Sequence, residues 1–274
     1  MLALIAGQGR LPELLADTLD AGSAPWLLCA MEGAPCTVPD AGRECRSFRI
    51  ERLGTFLQDL RREGATEVCF AGAVRRPDID PTAIDAATAP LVPRLSQAMK
   101  DGDDTTLRTV LALFEEAGLT PRAAHELRPD LLVEPGCLTR AEPSVRDRAD
   151  IDRAARIVGA LGAADVGQSC VVAQGQALAV EALPGTDRML ATLPGLADIR
   201  PDPAAGRGIL YKAPKPGQDH RVDLPTIGPD TVAGALRAGL SGLAVEAGGV
   251  LVLDRDRVRA DCDAAGLFLW GHAP

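Results

Sequence analysis

The sequence predicts an α/β protein in two halves. Short apolar runs alternate with amphipathic stretches in the first half, as βαβ units around a parallel sheet require. A stretch rich in Pro and charge, 129–148, then interrupts the pattern. Beyond it the alternation resumes, now with a hairpin signal. The chain has 274 residues, 46% of them apolar, which is enough to fill two cores. Aromatics make up only 3%, so Ala, Val, Leu and Ile must do the filling.

In chain order, Leu2–Ala6 reads as a buried strand, and Leu11, Leu14, Leu15 and Leu19 share one helical face. Residues 25–30 read as a second strand. Residues 49–63 read as a helix with Leu53, Phe56, Leu57 and Leu60 inward. Residues 67–72 form a third strand that ends in a glycine turn, and 104–118 an amphipathic helix closed by Gly118 and Pro121. Pro129, Pro135, Gly136 and Pro143 mark a linker, giving boundaries of 1–128, 129–148 and 149–274. The second half predicts a helix at 150–161, then strands at Ser169–Ala173 and 178–182 around Gln174-Gly175-Gln176. A strand at Ile209–Lys212, a helix at 230–240, a strand at 250–253, the helix Arg255–Ala265 and a strand at 267–270 complete it.

A net charge of -9 argues against nucleic-acid binding, which needs a basic surface to neutralise phosphates. No stretch reaches about 18 uninterrupted apolar residues, the spanning minimum. The opening apolar run has no basic segment before it and is too short for a secretory signal. Seven cysteines, an odd number without a C-x-x-C pair, fit a reducing cytosol and no zinc site.

Four segments could carry chemistry. Gly7-Gln8-Gly9 follows the first strand, where loop amides can face an anion, and Gly72 ends a strand predicted to lie beside it. A tight structural turn explains Gly7-Gln8-Gly9 equally well, because Pro12 stands where a dinucleotide fingerprint has its third glycine. Gly102-Asp103-Asp104 reads as a metal site or, more simply, as a helix start with favourable charges. Glu181 precedes Pro184-Gly185-Thr186-Asp187, where a helix N-terminus suits a phosphate, or where Thr186 or Asp187 is only a cap.

The fourth segment, 212–228, is the most informative. Lys212, Lys215 and Arg221 cluster in an otherwise acidic chain, within a loop stiffened by three prolines. Such cations can hold phosphate oxygens, and Asp223, flanked by Val222 and Leu224, can hold a magnesium ion or orient a water. A solvated loop with a structural Asp–Arg pair is the plainer alternative. With only His125, His220 and His272, no His-rich two-metal centre forms, and neither G-x-S-x-G nor a P-loop is present.

Lys-Ala-Pro-Lys-Pro at 212–216 followed by Arg-Val-Asp-Leu-Pro-Thr-Ile-Gly at 221–228 resembles the signature of the two-domain, LpxI-type UDP-2,3-diacylglucosamine pyrophosphatases of lipid A synthesis. Leu4-Ile5-Ala6-Gly7, Phe70-Ala71-Gly72 with Arg76-Pro77-Asp78, Gly102-Asp103-Asp104, Ala124-His125-Glu126, Val166-Gly167-Gln168 and Gly185-Thr186-Asp187 extend the resemblance over nearly the whole chain. It implies a Rossmann-like N-terminal domain, a linker and a distinct α/β catalytic domain, with the lipid product held between the domains. It also implies Mg²⁺-dependent cleavage of a lipid-linked nucleotide sugar to UMP and 2,3-diacylglucosamine 1-phosphate.

By the same resemblance Asp223 is the essential carboxylate, and Gly9, Gly72, Ala73, Gln168 and Thr186 touch substrate. From the residues themselves, Lys212, Lys215, Arg221 and Thr226 join the binding set and Glu181 is the second choice of metal ligand after Asp223. The expected setting is the cytoplasm, with transient contact at the inner-membrane surface and a homodimer open. A nucleotide- or lipid-binding sensor without catalysis and a dinucleotide-dependent oxidoreductase are the rival readings.

Overall fold

The computed structural model describes residues 1–39, 43–74, 78–196, 198 and 200–273, without the side chains of Asp101, Asp103 and Asp104. Two compact units emerge: Met1–Pro129 with Asp219–Val222, and Asp130–Gln218 with Asp223–Pro274. The chain is α/β throughout, as expected. The paired acids Asp103 and Asp104, and Arg76-Pro77 of the resemblance, lie outside the described side chains and residues.

The first unit contains β1 (Leu2–Ala6), α1 (Arg10–Ala21), β2 (Trp26–Met31), β3 (Cys45–Phe48), α2 (Leu53–Arg62), β4 (Glu67–Ala71), α3 (Val92–Asp101), α4 (Asp103–Glu116), β5 (Thr120–Pro121) and α5 (Ala124–Leu127). Its strands form one parallel sheet in the order β3-β2-β1-β4-β5. Every residue of β1 is buried because both faces are covered. Ala3 and Ile5 join Leu53, Phe56, Leu57 and Leu60 of α2 and Phe114 of α4 in one core. Leu4 points the other way and is equally buried.

Two elements depart from the sequence expectation. The edge strand β3 reads Cys-Arg-Ser-Phe, half of it exposed, and so carries no continuous apolar signal. The helix α3 opens with Pro93 in its first turn, where the missing N–H costs nothing.

The second unit contains β6 (Gly136–Cys137), α6 (Val145–Ala163), β7 (Ser169–Ala173), β8 (Gln176–Val180), α7 (Gly185–Thr192), β9 (Ile209–Lys212), β10 (Thr226–Ile227), α8 (Pro229–Arg237), β11 (Gly242–Glu246), β12 (Leu251–Val252), α9 (Arg255–Ala265) and β13 (Phe268–His272). Its main sheet is mixed, in the order β6-β13-β11-β9-β7-β8, and β10 pairs with β12 separately. Strand residues again alternate between two cores. Cys170, Val172, Ile209, Tyr211 and Ala244 pack with Ile151, Ala154 and Val158 of α6. Val171, Leu210, Leu243 and Val245 pack with residues of α7, α8 and α9.

The central strand β11 went unread from sequence. Its run Gly-Leu-Ala-Val-Glu is too short to separate from an extension of α8 by periodicity. The stretch 129–148 holds β6, which pairs antiparallel with β13, and the first turn of α6. Ser144 and Asp147 form a reciprocal capping box there, so α6 starts at Val145 and not at 150. Among the described residues no helix is long and apolar enough to cross a membrane.

Glu51 is a buried carboxylate that the fold must satisfy. It accepts from the Arg49 guanidinium at 3.2 Å and from the Asp80 N–H at 2.9 Å. These bonds, the Arg49 side chain first, pull its pKa from 4.5 to about 2. A depressed carboxylate stabilises the fold above its ordinary pKa, and that stability is lost as pH falls through the folded value. Glu51→Gln is therefore expected to cost about 2 kcal/mol at pH 7 in urea unfolding. The gap to wild type should narrow as pH falls from 4.5 towards 2.

Candidate functional site

In the first unit, the order β2-β1-β4 makes the carboxyl ends of β1 and β4 the point where the chain reverses its winding. The two glycine turns meet there. Gln8 N–H donates to Ala73 O at 2.9 Å and Ala73 N–H donates to Gln8 O at 2.8 Å. A Cβ on Gly72 would lie 2.6 Å from Gln8 O, and its φ is +86°, so glycine is required on both counts. Gly72 and Ala73 thus knit the turns together. Gly9, with φ +108°, caps α1 with open space around its Cα.

In the second unit, Lys212 ends β9 and pairs with Ser169, the first residue of β7. Lys212 is buried, at 6% exposure. Nζ donates to Thr186 Oγ1 at 2.9 Å and to Thr226 O at 3.1 Å. Burial lowers the pKa of Lys212, and the nearby negative charges of Glu181, Asp187 and Asp223 oppose that shift. Glu181 lies just past β8, and one of its oxygens accepts from Ser169 Oγ and from Thr186 Oγ1, each at 2.5 Å. Glycine at 167 permits this closeness, since a Cβ there would lie 2.2 Å from Glu181 O. Thr186 is thus a link between acid and ammonium and not a helix cap. The cap of α7 is Pro184, with no side-chain bond.

The remaining predicted residues have partners of different kinds. Asp223 Oδ2 accepts from Gln218 Nε2 at 2.5 Å, while Gln218 Oε1 accepts from Lys215 N–H at 3.0 Å. Lys215 Nζ is paired with Asp165 at 2.7 Å. Arg221 is clasped by Asp219 at 2.7 Å and Glu115 at 2.6 Å, which raises its pKa. Thr226 contributes its carbonyl, and its hydroxyl donates to Leu224 O at 3.3 Å. Gln168 Oε1 is buried without a hydrogen-bond partner, as is His125 Nδ1 in the first unit.

Sequence reasoning missed Ser169 and Gln218. Ser169 was legible only as a polar residue opening an apolar strand, and Gln218 carried no signal beyond its place in the loop.

Magnesium takes hard oxygen ligands and is often held by one or two carboxylates together with substrate phosphates. Among the described residues no three His, Cys, Asp or Glu side chains converge to hold a metal. Glu181, Asp187 and Asp223 act on the charge of Lys212, and as carboxylates they offer oxygens of the type such an ion takes.

The LpxI N-terminal domain model matches residues 1–131, and the LpxI C-terminal domain model matches residues 134–270. The chain belongs to the LpxI family. This LpxI-family chain is similar to UDP-2,3-diacylglucosamine pyrophosphatase LpxI of Caulobacter vibrioides, with 41% identity over 275 residues, covering 100% of this chain and 98% of the relative.

Thr186→Val would leave Lys212 Nζ with the Thr226 carbonyl and would leave Glu181 Oε2 with Ser169 Oγ after losing one of its two hydroxyl donors. The expected loss is about 1–3 kcal/mol in chemical unfolding, with Thr186→Ser retaining most of the stability.

Proposed function

We propose that this protein hydrolyses the pyrophosphate of UDP-2,3-diacylglucosamine to UMP and 2,3-diacylglucosamine 1-phosphate. The observation that carries the reading is the full-length likeness to a relative named for that substrate. The geometry supports it. A phosphoanhydride needs its negative charge met and a water positioned in line, and a buried ammonium among carboxylates provides groups of both kinds.

In this mechanism Lys212 faces the non-bridging oxygens, where exclusion of water strengthens its attraction. Thr186 and Glu181 hold the ammonium in place. Asp223, steadied by Gln218, orients the water and accepts one of its protons. The water oxygen bonds to the phosphorus nearer the sugar. The bond from that phosphorus to the bridging oxygen breaks, and its electrons leave with UMP. Gln168 offers its unpaired carbonyl oxygen to a substrate hydroxyl or amide N–H. Mg²⁺, bound through Asp223 and the substrate phosphates with Glu181 as second carboxylate, would supply further charge neutralisation. Gly9, Gly72 and Ala73 form the N-terminal part of the binding set, with Gly9 the most open of the three. The cations Lys215 and Arg221 belong to the binding set in this reading, each already paired with a carboxylate.

The enzyme in this reading is cytoplasmic and meets the inner-membrane surface transiently to take up its lipid substrate. Light scattering decides between a monomer and a homodimer.

UMP release from UDP-2,3-diacylglucosamine with Mg²⁺ tests the assignment. Wild type should turn over, chelation should abolish turnover and added Mg²⁺ restore it. Asp223→Asn should lose at least about 100-fold in kcat at unchanged melting temperature. An inactive wild type, with and without metal, would move the sensor reading to the front. In ¹⁸O-water the label should enter the sugar phosphate. Label in UMP would place the attack on the other phosphorus.

A further inference from the structure

One wholly buried hydroxyl of the second unit, that of Ser169, takes no part in the proposed chemistry. Ser169 opens β7, and the four residues after it, Cys-Val-Val-Ala, are apolar and buried. A polar side chain in such a place destabilises the fold unless it is hydrogen-bonded. Its bonds therefore carry the clue to its role.

Strand pairing sets where that hydroxyl sits. Ser169 lies directly opposite Lys212 in the antiparallel register of β7 and β9, so the two side chains rise from the same face. On its other side the Glu181 N–H donates to Ser169 O at 2.9 Å. Ser169 thus stands between the lysine and the acid. Its hydroxyl goes to the acid, donating to Glu181 Oε2 at 2.5 Å.

Counting protons gives the network one direction. An ammonium only donates, so Thr186 Oγ1 accepts from Lys212 Nζ and must spend its single proton elsewhere. That proton goes to Glu181 Oε2, the same oxygen that Ser169 holds. The two hydroxyl oxygens lie 3.5 Å apart, too far for a bond between them to compete with bonds of 2.5 Å. Among the described residues Glu181 Oε1 has no hydrogen-bond partner. Both donors therefore grip one oxygen, and a turn of the carboxylate would break a bond. With Glu181 fixed, Thr186 keeps its proton on the acid and a lone pair on Lys212.

We propose that Ser169 is a positioning residue for the pyrophosphatase reaction: its hydroxyl pins Glu181 through Oε2, and through Thr186 this holds the Lys212 ammonium in the direction that meets the phosphate oxygens. The inference rests on the reading given under Proposed function. It adds a residue that, being wholly buried, acts only through its neighbours.

The test compares the full-length wild type with Ser169→Ala by two readouts. In UMP release, Ser169→Ala should lose about tenfold in kcat at unchanged KM, because the hydroxyl serves the developing charge and not the binding of substrate. Without substrate, brief labelling with acetic anhydride followed by mass spectrometry reads how firmly Lys212 is held. Lys212 should be protected in wild type and labelled several-fold more in Ser169→Ala, with the exposed Lys100 as an internal reference that does not change. A serine with a structural role alone would lower the urea midpoint and leave kcat and Lys212 labelling as in wild type, and that result would overturn the inference. So would a loss carried by KM. An inactive wild type would sink the functional reading instead. Unchanged Lys212 labelling in Ser169→Ala would still overturn the inference in that case, and increased labelling would keep Ser169 as the residue that holds Lys212.

Discussion

Burying the Lys212 ammonium is the constraint around which the second unit is arranged. An unpaired charge in a low dielectric is too costly to keep, so each neighbour of Lys212 must offer an oxygen or a negative charge. The sheet provides them from separate elements. The pairing of β7 with β9 sets Ser169 beside Lys212, the β7–β8 hairpin returns Glu181, and α7 delivers Thr186. Thr186 accepts from the ammonium and donates to the acid, so three side chains are locked by one hydroxyl. A group held this tightly loses little on meeting a developing charge, which is what electrostatic catalysis requires.

Both sheets follow one packing rule with different results. Strands covered on both faces must be apolar throughout, and helices follow on either side. In the first unit this gives a wholly parallel sheet whose ligand edge is narrowed by glycine turns bonded to each other. In the second, antiparallel strands β7 and β8 flank a parallel centre, and their hairpin returns an acidic residue to the end of β9. Function in the proposed reading lives at these strand ends, not in the cores.

The loop 212–228 shows how residue type and role separate. Its three cations look alike as sequence. Lys215 is neutralised by Asp165, and Arg221 by Asp219 and Glu115. Among the described residues Lys212 has no such close ion pair. Its direct bonds go to a hydroxyl and a carbonyl, and in the proposed reading its charge faces the substrate.

By itself the sequence determined the α/β class, the strands Leu2–Ala6, Ser169–Ala173 and Ile209–Lys212, and the helix Arg255–Ala265. Those segments carry uninterrupted apolar runs or a clear helical period, signals that survive without knowledge of neighbours. The signature at 212–228 also carried the family, now matched along the chain. Tertiary structure alone decided that β11 is a central strand, since five apolar-rich residues gain that meaning only between β9 and β13. It alone decided that Ser169 and Gln218 join the site and that Lys212 is the buried cation. Burial and pairing depend on residues distant in sequence, and no local pattern records which acid a given lysine will meet.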